Sequence, residues 1–137
     1  MPWPSGRSSR AARVRRILEG LGRVAGVRGG IIVAPDGFLI AAALGGGLET
    51  EALAALTATL GRELELGAGR LNQGTFDTAV FTAADGTLVL GGSPVGFLAV
   101  VATRAADVGL IRAEMKRALE AVQEVWTSVS EATAARR

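Results

Sequence analysis

The stretch VRGGIIVAPDGFLIA, at residues 27–41, decides the fold. Two apolar runs, IIVA at 31–34 and FLIA at 38–41, flank Pro35–Asp36–Gly37. This tripeptide predicts a tight turn, because proline fixes its own φ, aspartate hydrogen-bonds neighbouring backbone and glycine allows φ > 0. The stretch is therefore predicted to be a β-hairpin. Because the hairpin is apolar on both faces, we expect helices on one side of it and a second layer on the other.

Three more strands follow downstream. Asp85–Gly86 stands between two strand-like runs and predicts another turn. We place strand three roughly at residues 71–82, longer than the norm of about 5–6 residues, and strand four at 87–91. Strand five, at 96–103, is a nearly continuous apolar run, which is typical of a central strand.

Three helices are predicted around these strands. The first begins after Ser8 or Ser9 and ends before Gly22. The second covers residues 49–66, stops at Gly67, and has a stripe of leucines at Leu53, Leu56, Leu60 and Leu64. The third runs from a cap at Asp107 to about Thr127. The order helix–hairpin–helix–three-stranded meander–helix predicts an α+β fold, a five-stranded antiparallel sheet with helices on both faces.

Length and composition are those of one compact domain. With 137 residues, the chain buries about two-thirds of the surface of its unfolded form. Its composition, 49% hydrophobic and 20% charged, is globular. We predict a loose leader at residues 1–8, a single domain at 9–127 and a frayed tail at 128–137.

The residues that several enzyme chemistries require are absent from the sequence. There is no cysteine and no histidine, which removes thiolate chemistry, the commonest general base and the commonest metal ligand. The 19 glycines form no phosphate-binding motif, because the only lysine, Lys116, follows a methionine. Asp36, Asp85 and Asp107 have sufficient roles in turns and a cap. We therefore expect no catalytic residue, no cofactor and no metal.

Positive charge is concentrated at the start of the chain. Residues 1–28 hold seven arginines against the single acid Glu19, a balance of +6, while residues 29–137 have a balance of −4. The arginines of the first-helix region are Arg7, Arg10, Arg13, Arg15, Arg16 and Arg23. They fit a solvated helix face, which we favour, or contact with an anionic membrane surface. No aromatic residues interleave with them, so we expect no nucleic-acid partner.

Helix two has an unusual second face. Ala54, Ala58 and Gly61 lie together about a quarter-turn from the leucines, with Glu51, Ala55 and Arg62 beyond them. A face of small residues lets another backbone approach closely, and we interpret it as a helix–helix contact. No apolar run reaches the roughly 20 residues that span a bilayer, so we expect no transmembrane segment and a cytoplasmic location.

The order of elements and two segments resemble the Roadblock/dynein-light-chain family. One segment is the opening hairpin at 27–41. The other is GFLAVV at 96–101 followed by ADVGLIRAEMKR at 106–117, which resembles the family's last strand and the start of its last helix. The resemblance covers roughly residues 9–126.

The resemblance implies a homodimer, or a heterodimer of related chains. In such a dimer the third strands of two subunits pair into one sheet and the second helices lie side by side. The interface is then assigned to Ala54, Ala58 and Gly61 of helix two and to Phe76, Thr78 and Val80 of strand three. Pairing would also remove the aggregation liability of a long free edge strand.

The resemblance further implies a regulator of a Ras-like small GTPase, which is not itself an enzyme. It would bind the GTP-loaded partner over the paired second helices, and the assigned contacts are Glu51, Ala55, Arg62 and Glu65. Arg62 is either an arginine finger inserted in trans or, as we favour, a surface arginine paired with Glu65 or Glu51.

Two other functions stay open from the sequence. One is a scaffold subunit that places a GTPase or a sensor kinase in a larger assembly without affecting hydrolysis. The other, more distant, is a small-molecule sensor of the PAS or profilin-like type. The nearly all-apolar strands argue against the polar-lined cavity that such a sensor needs.

Overall fold

The computed structural model describes residues 5–135, and the side-chain environments of residues 10–127. Its elements, in chain order, are α1 (Ser5–Leu21), β1 (Val27–Val33), β2 (Leu39–Leu44), α2 (Thr50–Arg70), β3 (Thr78–Ala83), β4 (Gly86–Gly92), β5 (Phe97–Ala102) and α3 (Val108–Ala135). Residues 1–4 of the predicted leader and residues 136–137 of the predicted tail lie outside the described residues. Both terminal helices are longer than predicted. α3 continues past Thr127 because no glycine or proline interrupts it there.

The five strands form one antiparallel sheet in the order β2-β1-β5-β4-β3. Every neighbouring pair in it is antiparallel. The central strands are β1 and β5, while β2 and β3 are the edges. The predicted fold class is confirmed.

Helices cover both faces of the sheet, and the two hydrophobic clusters are separated by it. Ile32, Val100 and Leu98 belong to the cluster under α1 and α3. Their neighbours along the chain, such as Ile31 and Ala99, belong to the cluster under α2. Consecutive residues of a strand point to opposite faces, so a central strand must be apolar at every position when both faces are buried. This explains why the opening hairpin is apolar on both sides.

The turn and the helix cap that two local sequence signals predict are both present. At the β1–β2 turn the Phe38 N–H donates to Asp36 Oδ1 at 3.1 Å, and Gly37 adopts φ +97°. At the start of α3 the Leu110 N–H donates to Asp107 Oδ1 at 3.1 Å. The turn and the helix cap are therefore confirmed.

The boundary between α2 and β3 differs from the prediction. Gly67 does not end α2, because the Leu71 N–H donates to the Gly67 carbonyl and the helix continues to Arg70. The chain leaves the helix at Asn72, which takes the left-handed φ of 56°. β3 then begins only at Thr78 and has six residues. The prediction of a long third strand is wrong, since the helix takes up part of that stretch and a loop the rest.

α2 lies on the sheet through its small residues. Its buried positions are Ala54, Thr57, Ala58 and Gly61, and the buried Thr57 hydroxyl donates to the Leu53 carbonyl at 2.7 Å. A Cβ added to Gly61 would lie 2.5 Å from the ring of Phe97. The assignment of Ala54, Ala58 and Gly61 to a contact with another helix is therefore wrong. The small residues do allow close approach, but the element that approaches is the sheet of the same chain.

This packing predicts that Gly61→Ala destabilises the protein although alanine is the better helix former. Phe97 is buried and its ring lies in the space that the new Cβ would occupy, so overpacking should cost about 1–3 kcal/mol. The matched control is Gly67→Ala in the same helix, where a Cβ would meet nothing within 4 Å. The control should stabilise by about 0.5–1 kcal/mol. Urea unfolding of both variants measures the difference, and equal shifts would contradict the close approach.

Candidate interaction surfaces

The leucines of α2 lie on one flank of the helix, beside its buried face. Leu53, Leu60 and Leu64 are half-buried and pack in the same cluster as Ala79 of β3 and Leu88 of β4. Leu56 is 47% exposed. We call these four residues the leucine flank. The half-buried members thus belong to the cluster beneath α2, to which β3 and β4 contribute Ala79 and Leu88.

The outer edge of β3 has unpaired backbone groups. The Gly92 N–H donates to the Asp77 carbonyl, and pairing alternates along an antiparallel ladder. In the observed register the N–H and C=O groups of Thr78, Val80 and Thr82 therefore point away from β4. Among residues 5–135 no strand pairs with this edge. A free edge of this kind is a template for another strand.

Apolar side chains accompany this free edge on both faces of the sheet. Val80 is 41% exposed and lies opposite Val89, on the side of α1 and α3. Phe81 is 40% exposed and lies opposite Leu88, on the side of α2. These two residues place apolar side chains on both faces of an unpaired edge.

Phe76 does not belong to this edge. It is predicted to lie in strand three with Thr78 and Val80, as part of the dimer interface, but it precedes β3. Its ring stacks on Phe97, with the ring centroids 6.1 Å apart, and it packs in the cluster under α2. The alternation of faces fails because it holds only within a strand, and residues before Thr78 are in a loop.

The predicted contact residues of α2 are only partly brought together. Glu51, Ala55 and Arg62 are exposed, and their spacing puts them on the flank opposite the leucine flank. Arg62 Nη1 donates to the Pro35 carbonyl of the β1–β2 turn at 3.4 Å. Glu65 lies nearer the sheet. It is half-buried and lines a cavity of about 580 Å³ together with Phe76, Phe97 and the two prolines Pro35 and Pro94.

No salt bridge joins Arg62 to Glu51 or Glu65 within the part of the chain whose side chains are described. The pairing favoured in the sequence analysis is therefore not observed. Arg62 lies on an exposed helix flank, where a long hydrogen bond to the Pro35 carbonyl holds it.

The arginines of α1 have varied surroundings. The Arg10 guanidinium lies 4.3 Å from the centre of the Trp126 ring and connects α1 to α3. Arg15 forms an ion pair with Glu19 at 3.5 Å and donates to the Ala42 carbonyl at 3.1 Å. Arg13, Arg16 and Arg23 are exposed, as the interpretation of a solvated face requires. No helix in the described part of the chain is long and apolar enough to cross a membrane.

The exposure of the apolar residues Leu56 and Phe81 is not among the features predicted from the sequence. A signal for Leu56 was present, because the leucines and the small residues of α2 together cover more of the helix than one buried face requires. For Phe81 the sequence gives no signal, since exposure at an edge depends on the order of the strands in the sheet.

The chain belongs to the Roadblock/LC7 domain family, whose model matches residues 13–103. It is 27% identical over 113 residues to the protein MJ1340 of Methanocaldococcus jannaschii, which covers 82% of this chain and 99% of that protein. The resemblance noted in the sequence is thus confirmed.

Solved structures share the fold. MglB of Myxococcus xanthus has a TM-score of 0.78 at 21% identity, covering 86% of this chain and 90% of that one. A Roadblock/LC7 domain from Streptomyces avermitilis has a TM-score of 0.74 at 22% identity, covering 82% and 97%. The gliding protein MglB from Thermus thermophilus has a TM-score of 0.73 at 23% identity, covering 85% and 90%.

The exposure of Arg62 predicts that Arg62→Ala leaves the fold intact. Its one hydrogen bond is long and accessible to water, so the free energy of unfolding should change by less than about 0.5 kcal/mol. The comparison variant is Arg10→Ala, which removes the contact with Trp126 and should cost about 0.5–1 kcal/mol. Urea denaturation of both proteins gives the two values. A larger loss for Arg62→Ala would mean that this residue is structural.

Proposed function

We propose that this protein is a homodimeric regulator of a Ras-like small GTPase, which binds the GTP form of its partner and stimulates or gates hydrolysis in the cytoplasm. Membership of the Roadblock/LC7 family supports the class of function. The observation that carries the proposal is the unpaired β3 edge, flanked by exposed apolar side chains of β3 and α2.

The geometry of this edge suits a symmetric dimer. Two copies of β3 placed edge to edge would pair the outward backbone groups of Thr78 and Val80 and extend the sheet across both subunits. The proposal places the leucine flank on the β3 side of α2, so the same approach would also bring the two leucine flanks together. Burial of Leu56, Val80 and Phe81 would then provide the apolar part of the interface.

The GTPase contact is assigned to the other side of α2. Glu51, Ala55 and Arg62 stay exposed when the leucine flank is covered. This flank combines an acid, a base and a small residue, which suits a polar protein contact that forms and dissociates. Regulation requires different affinities for the two nucleotide states, because a ligand that binds both states equally shifts no equilibrium.

The dimer predicts that Val80→Pro produces a monomer. Proline at this position removes an N–H that points away from β4, so the ladder within the subunit is kept. Sedimentation velocity should show the change in mass, while Ala42→Pro on the opposite edge should stay dimeric. Leu56→Glu should also dissociate the dimer, and Leu66→Glu, at a position 53% exposed, is its control. A wild-type protein that sediments as a monomer would refute the dimer.

The regulatory role is tested by single-turnover GTP hydrolysis, with and without this protein, on each Ras-like GTPase of its own genome. We expect one GTPase to be bound in its GTP form and to be stimulated. Arg62→Ala should raise the concentration that gives half-maximal stimulation while leaving the saturating rate almost unchanged, as for a contact residue. An arginine finger would instead lower the saturating rate by a factor of about 10³ or more.

Other outcomes of the hydrolysis assay separate the alternatives. Stable binding to the GTP form without any change in rate would replace the regulator by the scaffold subunit. Equal affinity for the GTP and GDP forms would refute regulation itself. Arg70→Ala, an exposed arginine at the end of the same helix, is the matched control for loss of charge.

A further inference from the structure

The second free edge of the sheet, at β2, differs from the β3 edge. The Gly45 N–H donates to the Arg28 carbonyl. In the register that follows, the backbone groups of Ala42 and Leu44 point away from β1. Within the described range of 5–135 no strand pairs with them. The sequence of β2, LIAAAL, has no charge and no proline, which are the usual protections of an edge.

One side chain protects this edge from outside the strand. Arg15 of α1 donates from Nη1 to the outward carbonyl of Ala42 at 3.1 Å. The same guanidinium lies 3.5 Å from Glu19 and is well exposed. A long, solvated side chain held by one hydrogen bond and one surface ion pair is easily displaced, because such contacts contribute little free energy.

The surroundings of the edge are positively charged. A groove of about 350 Å³ runs between the end of α1 and the strands β1 and β2, and Leu44 lies on its wall. Three arginines line it, Arg15, Arg23 and Arg28, against the single carboxylate of Glu19. The edge therefore combines free backbone donors and acceptors with an excess of positive charge.

The two faces beside the edge have different chemistry. Leu39 lies opposite Val33 and is exposed, and Ala42 packs in the same cluster under α2 as Val33. The arginine of α1 that reaches the edge comes from the opposite face of the sheet. An added strand would meet apolar groups on the α2 side and guanidinium groups on the α1 side.

We propose that the β2 edge is a second docking surface, which takes an extended acidic segment of a partner protein as an added strand. Main-chain hydrogen bonds to Ala42 and Leu44 provide the attachment, as in other cases of strand addition. Acidic residues at alternate positions face the arginines, and the apolar residues between them face the α2 side. Arg15 leaves the Ala42 carbonyl to the incoming N–H and pairs with a carboxylate of the new strand.

The experiment uses the full chain and a fluorescein-labelled peptide of about ten residues in which valine and glutamate alternate. Fluorescence anisotropy should show saturable binding that weakens as salt is raised. A peptide with lysine in place of glutamate should not bind. Absence of saturable binding up to about 1 mM peptide would overturn the proposal, because that limit already corresponds to a very weak complex.

Two sets of variants separate strand addition from attraction by charge. Ala42→Pro removes an outward N–H and obstructs the edge, and should lower the affinity about tenfold or more. Val80→Pro alters the other edge and should leave peptide binding unchanged. Changing Arg15, Arg23 and Arg28 together to glutamine should lower the affinity about tenfold, taking about two- to threefold for each exposed pair. The same change at the exposed Arg70, Arg104 and Arg112 is the control for net charge.

Two further outcomes of these experiments would contradict the proposal. If Ala42→Pro keeps its thermal unfolding transition and binds the peptide like wild type, the peptide is held by charge and not as a strand. If vesicles of anionic phospholipid bind the protein and compete with the peptide, with Ala42→Pro unaffected, the arginines mark a membrane surface instead. The peptide assay does not depend on dimerisation or on a GTPase, so its result is independent of the proposed function.

Discussion

Burial of β1 and β5 on both faces is the constraint on which the rest of the structure depends. A strand buried on both faces needs a helical layer on each, and α1 with α3 supplies one layer while α2 supplies the other. Within residues 5–135 the second layer has one helix for the width of the sheet. This helix packs on the middle of the sheet through Ala54, Ala58 and Gly61, and the ring of Phe97 limits how closely it can approach. A single central helix leaves its own flank and the outer strand β3 incompletely covered.

Incomplete cover at β3 links the fold to the proposed function. The leucine flank is too apolar for a solvated helix face, and yet in one subunit Leu53, Leu60 and Leu64 are half-buried and Leu56 is exposed. The β3 edge beside it has unpaired backbone groups at Thr78 and Val80. In the proposed dimer a second copy would satisfy both at once, because strand pairing and helix contact would follow from the same approach. The opposite flank, with Arg62, would stay available, so the proposed self-association and partner binding would not compete for the same residues.

Short-range signals in the sequence predict most of the fold. They fail where the structure depends on contacts between residues that are distant in sequence. The turn at Asp36 and the cap at Asp107 depend on hydrogen bonds within three residues, so the sequence predicts them. The rotation of α2 depends on which of two adjacent stripes fits the sheet. Hydrophobicity alone favours burial of the leucines against the sheet, whereas close packing on Phe97 favours burial of the small residues. The small residues are the ones that lie on the sheet, so packing determines the rotation of the helix. The same limit applies to the contact residues, where spacing groups Arg62 with Glu51 but gives no warning that Glu65 lines a cavity.

The two edges of the sheet differ in a way that separates their partners. The β3 edge has exposed apolar side chains on both faces and suits a permanent contact with an identical apolar edge. At β2, Arg15 covers one acceptor and three guanidinium groups line the adjacent groove. A second copy meeting this edge would bring arginines against arginines, and that like-charge repulsion disfavours dimerisation there. The positive charge that disfavours pairing between two β2 edges also favours an acidic strand. The two edges of one sheet would therefore bind different partners, a second subunit at β3 and an acidic segment at β2.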